Sequence, residues 1–517
     1  MIRTIIYLLT LLVGLYTANA QQIKGKIVDS RTQQGIPYAN IKIGETDNTV
    51  SNSEGFFTIS EKEDNLVLSI SYLGYHSKQL TLAELKNNST VALEEGIFEL
   101  GSVFISNEKP NADSIMLLVN KNLVQNYEFG EGYKYRIFKR ETSQFVPKTM
   151  EVDITKSTGF TKKQLKQANE EIKKFINSLI KYPPKSYTDV LVDYASVSKK
   201  TDEGKSALHA KAEVIKAIRL ADESRSTSLD DLEESATKLF LKHMDTTKFY
   251  RIKSGWFGSR DTISLSKEYN EKKKERDRQK KQKKSGSITV EIKDNLQLAK
   301  GDIRRILRSS TSFQKNAQLD FVTQTHIYSY SFEGVNFLDD EMVYIIEFKP
   351  KKKRAKFTGK LYVSETDYAV MRVDYDLAEG KRLSGINLKL VLGVKAFNNV
   401  SNGTLLFRKN PDSEKYYLLY ASQEEGQYFY INRPLKFIEL TDKDREVVAF
   451  DIKVEGDNRY KTEYLNMAVQ KITEADVNAI KEKEFHYQTL KKYDPNIWKD
   501  FNGIEPIEEM KRFQVIE

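Results

Sequence analysis

Apolar and polar positions change their period three times along the chain. Short runs rich in β-branched and aromatic residues come first, at 23–28, 39–43, 56–59, 66–72 and 78–82. Turn chemistry separates them every eight to twelve residues, including Gly35 with Pro37 and the run Ser53-Glu54-Gly55. Strands at that spacing predict a small antiparallel β-sandwich that ends near Glu95.

From Ala112 the period lengthens. Ile115, Leu118, Val119 and Leu123 share one helical face, with Asn111 and Asp113 as capping residues. Thr161 and Gln164 form a capping box that opens a second helix, striped by Leu165, Ala168, Ile172, Phe175, Ile176 and Leu179 and stopped by Pro183-Pro184. Leu208, Ala212, Ile215 and Ile218 predict a third helix, and Ser228 starts a fourth through Leu232, Ala236, Leu239, Phe240 and His243. This middle region, 98–318, reads as α-rich, with a charged insertion at 268–287.

Residues 319–457 then alternate with period two. Tyr344, Ile346 and Phe348 fall on one side of a strand, and Ile386, Leu388, Leu390, Leu392 and Val394 on one side of another. The pattern predicts a curved antiparallel sheet with one face toward a core. Tyr344, Ile346, Phe348, Leu388, Leu390 and Leu392 therefore form the candidate ligand face. Either an acyl chain occupies it or, the reading adopted here, a helix of the protein covers it. The last segment, 458–517, reads as a helical tail with a capping box at Thr473 and Asp476, and Trp498, Phe501, Ile504 and Ile507 give it apolar surface to dock. The fold class expected is α+β: sandwich, helical middle, curved sheet and tail.

Composition changes this picture in two places. The chain of 517 residues carries a formal charge of +9, but Lys272 to Lys284 alone holds nine basic residues against Glu275 and Asp277. The charge is local and has no aromatic residues interleaved, so it reads as a solvated linker and not as a nucleic-acid surface. Residues 1–20, MIRTIIYLLTLLVGLYTANA, combine Arg3, an apolar stretch and Ala18-Asn19-Ala20, which is the pattern of a cleaved secretory signal peptide. No later segment is long and apolar enough to cross a bilayer as a helix. With no cysteine anywhere, disulfides, thiolate metal sites and cysteine nucleophiles are excluded. Export without disulfides points to a bacterial envelope, in the periplasm or at the outer membrane.

Candidate chemistry is sparse. The histidines at 76, 209, 243, 326 and 486 make no metalloprotease pair, and no nucleophile elbow, phosphate loop or dinucleotide fingerprint occurs. No catalytic residue, cofactor or metal site is assigned. Trp256 and Phe257, in RIKSGWFGSRDTISL, are either an exposed recognition loop or a hairpin turn with its aromatics packed inward, and the latter is adopted.

Four stretches carry a family resemblance: Gly25 to Asp29, Gly35 to Ile41, Asn52 to Phe57, and Ile70 to Tyr75. In order and spacing they resemble the carboxypeptidase-regulatory-like, transthyretin-type β-sandwich common in envelope proteins of Bacteroidetes. That family often has Thr-Asp before the second turn, where Ser51-Asn52 stands here. The resemblance implies an accessory module at 21–97 without peptidase chemistry. The strand-rich stretch from Phe348 to Tyr375 resembles the half-barrel of periplasmic lipoprotein carriers of the LolA type. The reading that follows is a non-catalytic exported envelope protein with a scaffold or binding role, its partners being envelope proteins or lipids. The alternatives are a periplasmic lipid or lipoprotein carrier using the curved sheet, and a hydrolase of envelope peptides or glycans.

Overall fold

The computed structural model describes residues 22–60, 63–96, 110–127, 132–200, 206–222, 249–254, 257–258, 263–264, 295–311, 319–439 and 447–515. The fold is α+β and mostly β. The chain forms two compact units. One holds residues 1–97, 337–340 and 493–512, and the other holds 98–336, 341–492 and 513–517.

In the first unit, β1 (Gln22–Asp29) lies between β4 (Phe56–Ser60) and β7 (Thr90–Leu93) in one sheet. The second sheet runs β3 (Asp47–Val50), β2 (Asn40–Ile43), β5 (Val67–Ser71), β6 (Lys78–Thr81). Alternation places Ile27, Ile41, Phe57, Ile59, Leu68 and Ile70 between the sheets, each fully buried. Helix α1 (Leu82–Asn87) adds Leu82 and Leu85 to that core and starts on a capping box between Thr81 and Glu84.

Asp29 ends β1. Its carboxylate accepts the amide N–H groups of Thr32 at 2.5 Å and Arg31 at 3.1 Å, and the Tyr75 hydroxyl at 2.9 Å. Those bonds, Thr32 foremost, hold its pKa down at about 2. The folded carboxyl thus titrates below its unfolded range, so its contribution is complete above about pH 4 and disappears as pH falls toward 2. Melting curves of the full chain between pH 5 and pH 2 are expected to show this acid limb, and Asp29→Asn to flatten it. An unchanged limb in the variant would refute the assignment.

The second unit is built on one large sheet with strands in the order β14, β15, β16, β17, β19, β20, β21, β8, β9, β10, β22. Six are long: β8 (Tyr133–Ser157), β9 (Lys185–Lys200), β10 (Ser206–Leu220), β19 (Val394–Lys409), β20 (Tyr416–Glu439) and β21 (Val447–Lys471). The flank carries β14 (Tyr328–Leu338), β15 (Glu341–Pro350), β16 (Phe357–Ser364) and β17 (Val370–Leu377). β22 (Gln488–Leu490) pairs parallel to β10. β11 (Phe249–Ser254) pairs with β20 and with the short β12 (Phe257–Gly258) and β13 (Ile263–Ser264), while β18 (Gly385–Leu388) pairs with β19 alone.

Helix α2 (Ala112–Asn126) is capped by Asn111 and buries Ile115 and Val119, as their spacing predicts. Helix α3 (Lys162–Lys181) has the Thr161–Gln164 box and sets Ala168, Ile172 and Ile176 against Ile154, Phe437, Val448 and Phe450 of the sheet. Helix α4 (Asn295–Thr311) buries Leu296, Ala299, Ile303 and Ile306.

Several expectations are corrected. The third predicted helix is strand β10, paired with β9 along its length. A bulge between Val214 and Lys216 shifts the strand's phase, and spacings of four and three then imitate a helical stripe, yet Ile215 is exposed. The middle region is therefore less helical than expected, since β8, β9 and β10 belong to the same sheet as β14 to β21. The sheet does not stop at 457, because β21 runs on to Lys471. Residues 458–463 face polar partners such as Arg140 and Thr142, and they interrupt the apolar alternation before it resumes at Leu465, Met467 and Val469. The tail is barely helical: α6 (Glu474–Ala479), with the predicted box at Thr473, and α7 (Glu508–Lys511) are its helices among the described residues. Residues 493–512 belong to the first unit. There Asn502 accepts the Ser60 amide at 2.6 Å, and the Trp498 carbonyl accepts from Gln22 at 2.8 Å. The signal-like segment, the charged insertion and the fourth predicted helix lie outside the described residues.

Candidate functional site

The six residues of the candidate ligand face are not brought together. Ile346 and Phe348 have no exposed surface and Tyr344 is 9% exposed. Phe321 stacks on Phe348 with ring centroids 4.4 Å apart, and Tyr328, Phe357 and Tyr375 close around the same ring. That face is filled by the protein's own aromatic side chains. Leu388, Leu390 and Leu392 are elsewhere. The apolar run expected to be one strand is broken, because a single helical turn, α5 (Lys389–Leu392), reverses the chain between β18 and β19. Of the other candidates, Phe257 pairs through its backbone with Ser254, and Trp256 lies outside the described residues. His209, on a strand and not a helix, meets the Asn478 side chain at 3.0 Å. His243 also lies outside the described residues.

Two features of the second unit stand out. The first is a cleft of about 440 Å³ on the large sheet. Strand register builds its floor from two successive rungs where they cross β20, β21, β8 and β9. Tyr375, Gly403, Gln423, Thr462, Glu141 and Thr188 stand opposite one another across six strands. The next rung continues with Glu425, Tyr460, Ser143 and Ser186. On β15 this same face is the aromatic core around Phe348, so the face turns from apolar to polar along one row. Tyr375 makes the transition: its ring lies across Gly403, where a Cβ would come within 3.0 Å, and Gln423 donates to its hydroxyl at 3.4 Å. Burial pushes the Tyr375 hydroxyl far above the usual phenol range.

Arg305 and Ile306 of α4 form the opposite wall of the cleft. The helix is anchored beside it by Lys139, which is 5% exposed and pairs with Asp302 at 2.7 Å and Glu141 at 2.8 Å. Burial lowers the Lys139 pKa, but the two carboxylates outweigh it and the net shift is upward, so the ammonium stays charged. Hydroxyls, amide, carboxylates and a guanidinium together suit a polar ligand bound by hydrogen bonds. No group of three metal-ligating side chains occurs among the described residues.

The second feature is the β18–β19 hairpin. Gly393 closes its turn at φ +64, and a Cβ there would lie 2.0 Å from the Asn432 carbonyl. Only glycine allows that approach. Asn432 in turn donates its amide to the Gly393 carbonyl at 2.8 Å, which pins the turn to β20. Ile386, Leu388 and Leu390 are 55%, 41% and 100% exposed. Behind them lies an aromatic belt. Phe397 and Tyr428 stack at 4.8 Å, Arg382 lies 3.9 Å over Phe397, Lys389 lies 4.5 Å over Tyr430, and Lys395 lies 5.2 Å over Tyr428. Sequence reasoning missed this site because alternation alone does not show where a strand reverses. A visible signal was the stretch 380–411, which holds six basic residues and no acidic one.

No curated protein matches the chain. Among solved structures, one of lipid–protein interactions in lipovitellin is similar at 10% identity over 70% of this chain. The TM-score is 0.21 and the chain spans 27% of that structure's length, so no common fold is implied. At the front of the chain, residues 23–105 match the CarboxypepD_reg-like domain family, in agreement with the two facing sheets built there.

Proposed function

We propose that this chain is a non-catalytic, exported cell-envelope protein that works by binding. The observation that carries this reading is the CarboxypepD_reg-like domain at residues 23–105, an immunoglobulin-like fold that is typically non-catalytic. The signal-like pattern of residues 1–20 supports export, and the resemblance to Bacteroidetes envelope modules supports a periplasmic or outer-membrane address. The cleft walled by Arg305 is the place for a polar ligand or a polar segment of a partner. An acyl carrier is disfavoured, because the apolar face at Tyr344, Ile346 and Phe348 is packed by Phe321.

Intact-mass and affinity measurements on the protein recovered from its native envelope test the proposal. A mature chain beginning at Gln21, recovered with a partner or a polar ligand, is the expected result. Retention of residues 1–20 in a cytosolic fraction would overturn export. One acyl chain bound per protein would favour the carrier instead.

A further inference from the structure

We propose that the β18–β19 hairpin is a membrane-inserting finger, which docks its aliphatic tip into a bilayer bearing anionic headgroups. The inference goes beyond a general binding role and rests on the hairpin alone, whether or not the chain is exported.

Three observations converge. The tip exposes Leu388 and Leu390, Ile386 is exposed one rung behind Lys395, and Leu390 has no contact that removes any of its surface. Exposed aliphatic side chains are normal singly, but three on one reversal, held by a glycine turn pinned to β20, form a preorganised apolar point. The charge of the hairpin itself is one-sided: 380–402 carries Lys381, Arg382, Lys389 and Lys395 and no acidic residue, and 426–438 on β20 adds Arg433 and Lys436, again with no acidic residue. Such a surface is complementary to an anionic one.

The third observation is the order of the layers. Leu390 is at the tip. Lys389, which stacks on Tyr430, and Lys395 come next, followed by Phe397 opposite Gly385 with Arg382 upon it. From Leu388 to the level of Gly385 is three residues, roughly 10 Å of extended chain. Aliphatic, then aromatic and cationic, is the sequence of layers met on passing outward from acyl chains to headgroups, and an interfacial element sinks by about 5–10 Å. A protein–protein hot spot would instead centre its aromatic residues and put charge on the rim. Here the aromatics are withdrawn behind the aliphatic tip. The acidic groups nearest this belt lie on the adjacent strand β21, where Glu455 stands opposite Tyr430 and accepts from Tyr428 at 2.9 Å, and Asp457 stands opposite Tyr428.

The test is co-sedimentation of residues 21–517, which hold every described element, with vesicles of phosphatidylglycerol and phosphatidylcholine mixed equally. Omitting residues 1–20 prevents their apolar run from binding lipid itself. Wild-type protein is expected to sediment with the mixed vesicles, more weakly with phosphatidylcholine alone, and less as salt rises. Leu390→Asp should lower binding about tenfold or more. Lys389→Gln and Lys395→Gln should each lower it about fivefold on the mixed vesicles only. Because Leu390 is fully exposed, Leu390→Asp should melt as wild type does, and Leu390→Ser is a second variant should it not. Equal vesicle binding by Leu390→Asp and wild type would overturn the proposal. So would absence of vesicle binding with a wild-type dimer that Leu390→Asp converts to monomer, which would make a second copy the occupant.

Discussion

Asn52→Asp is expected to destabilise the N-terminal unit by about 3–5 kcal/mol, although it exchanges one amide for one carboxylate. Asn52 is 1% exposed. Its side-chain oxygen accepts the amides of Glu54 at 2.9 Å and Phe56 at 3.0 Å, which shapes the turn into β4. A carboxylate could do this equally well, as it would in the Thr-Asp form common in the resembling family. The other end of the side chain differs. Asn52 Nδ2 donates to the carbonyls of Glu505 at 3.2 Å and Pro506 at 3.3 Å, both from the C-terminal segment of the same unit. A carboxylate oxygen there would face two carbonyl oxygens, lose two donors and be buried charged. The departure from the family pattern thus has a structural cause. The introduced carboxyl would have a folded pKa raised above its unfolded value, because burial and the carbonyls favour the neutral form. The folded state would then lose stability only as pH rises above about 4, and acid would restore it. Urea unfolding of the variant at neutral and acidic pH measures this. A neutral-pH midpoint equal to wild type would show that the tail does not depend on the amide.

Arg140→Ala is expected to cost the second unit about 3–5 kcal/mol. Arg140 and Asp189 are 4% and 1% exposed, directly opposed on β8 and β9, and joined by two hydrogen bonds of 2.8 Å. Removing the guanidinium leaves a buried carboxylate uncompensated. Replacing both, as in Arg140→Met with Asp189→Leu, should cost much less than the single change, since the desolvation of two charges is removed along with their attraction. A double-mutant cycle read by urea midpoints separates the two outcomes. If the double variant were as unstable as Arg140→Ala, the pair would matter for its shape and not for its charge. The same rung extends to Glu463 and Ser422, so the pair is part of a polar row through the middle of the sheet.

Local chemistry made part of this fold legible. The strands of the first unit follow from β-rich runs between turn residues, and the starts of α2, α3 and α6 follow from Asn111, Thr161 and Thr473, which all cap as expected. Those signals are short-range, so a single stretch contains them. β10 was misread because a bulge gives a strand a helix-like spacing, and the continuation of β21 was missed because the polar side chains at 458–463, which pair with polar neighbours, interrupt its alternation. Of the two candidate sites, the cleft left no trace in the sequence. Glu141, Thr188, Gln423 and Thr462 stand at four separate places in the chain and become neighbours only through register.

By itself, then, the sequence determined the sandwich strands, the helix caps, the acid-free basic stretch and the signal-like start. Tertiary structure alone decided that β8, besides pairing with β9, pairs along its length with the distant β21, and that residues 493–512 complete the first unit. It also decided that the run from Ile386 to Val394 reverses at Lys389 into an exposed finger. The physical reason is common to all three. Pairing across hundreds of residues, and a reversal set by the approach of Gly393 to Asn432, depend on which backbones meet and not on the period of any one segment.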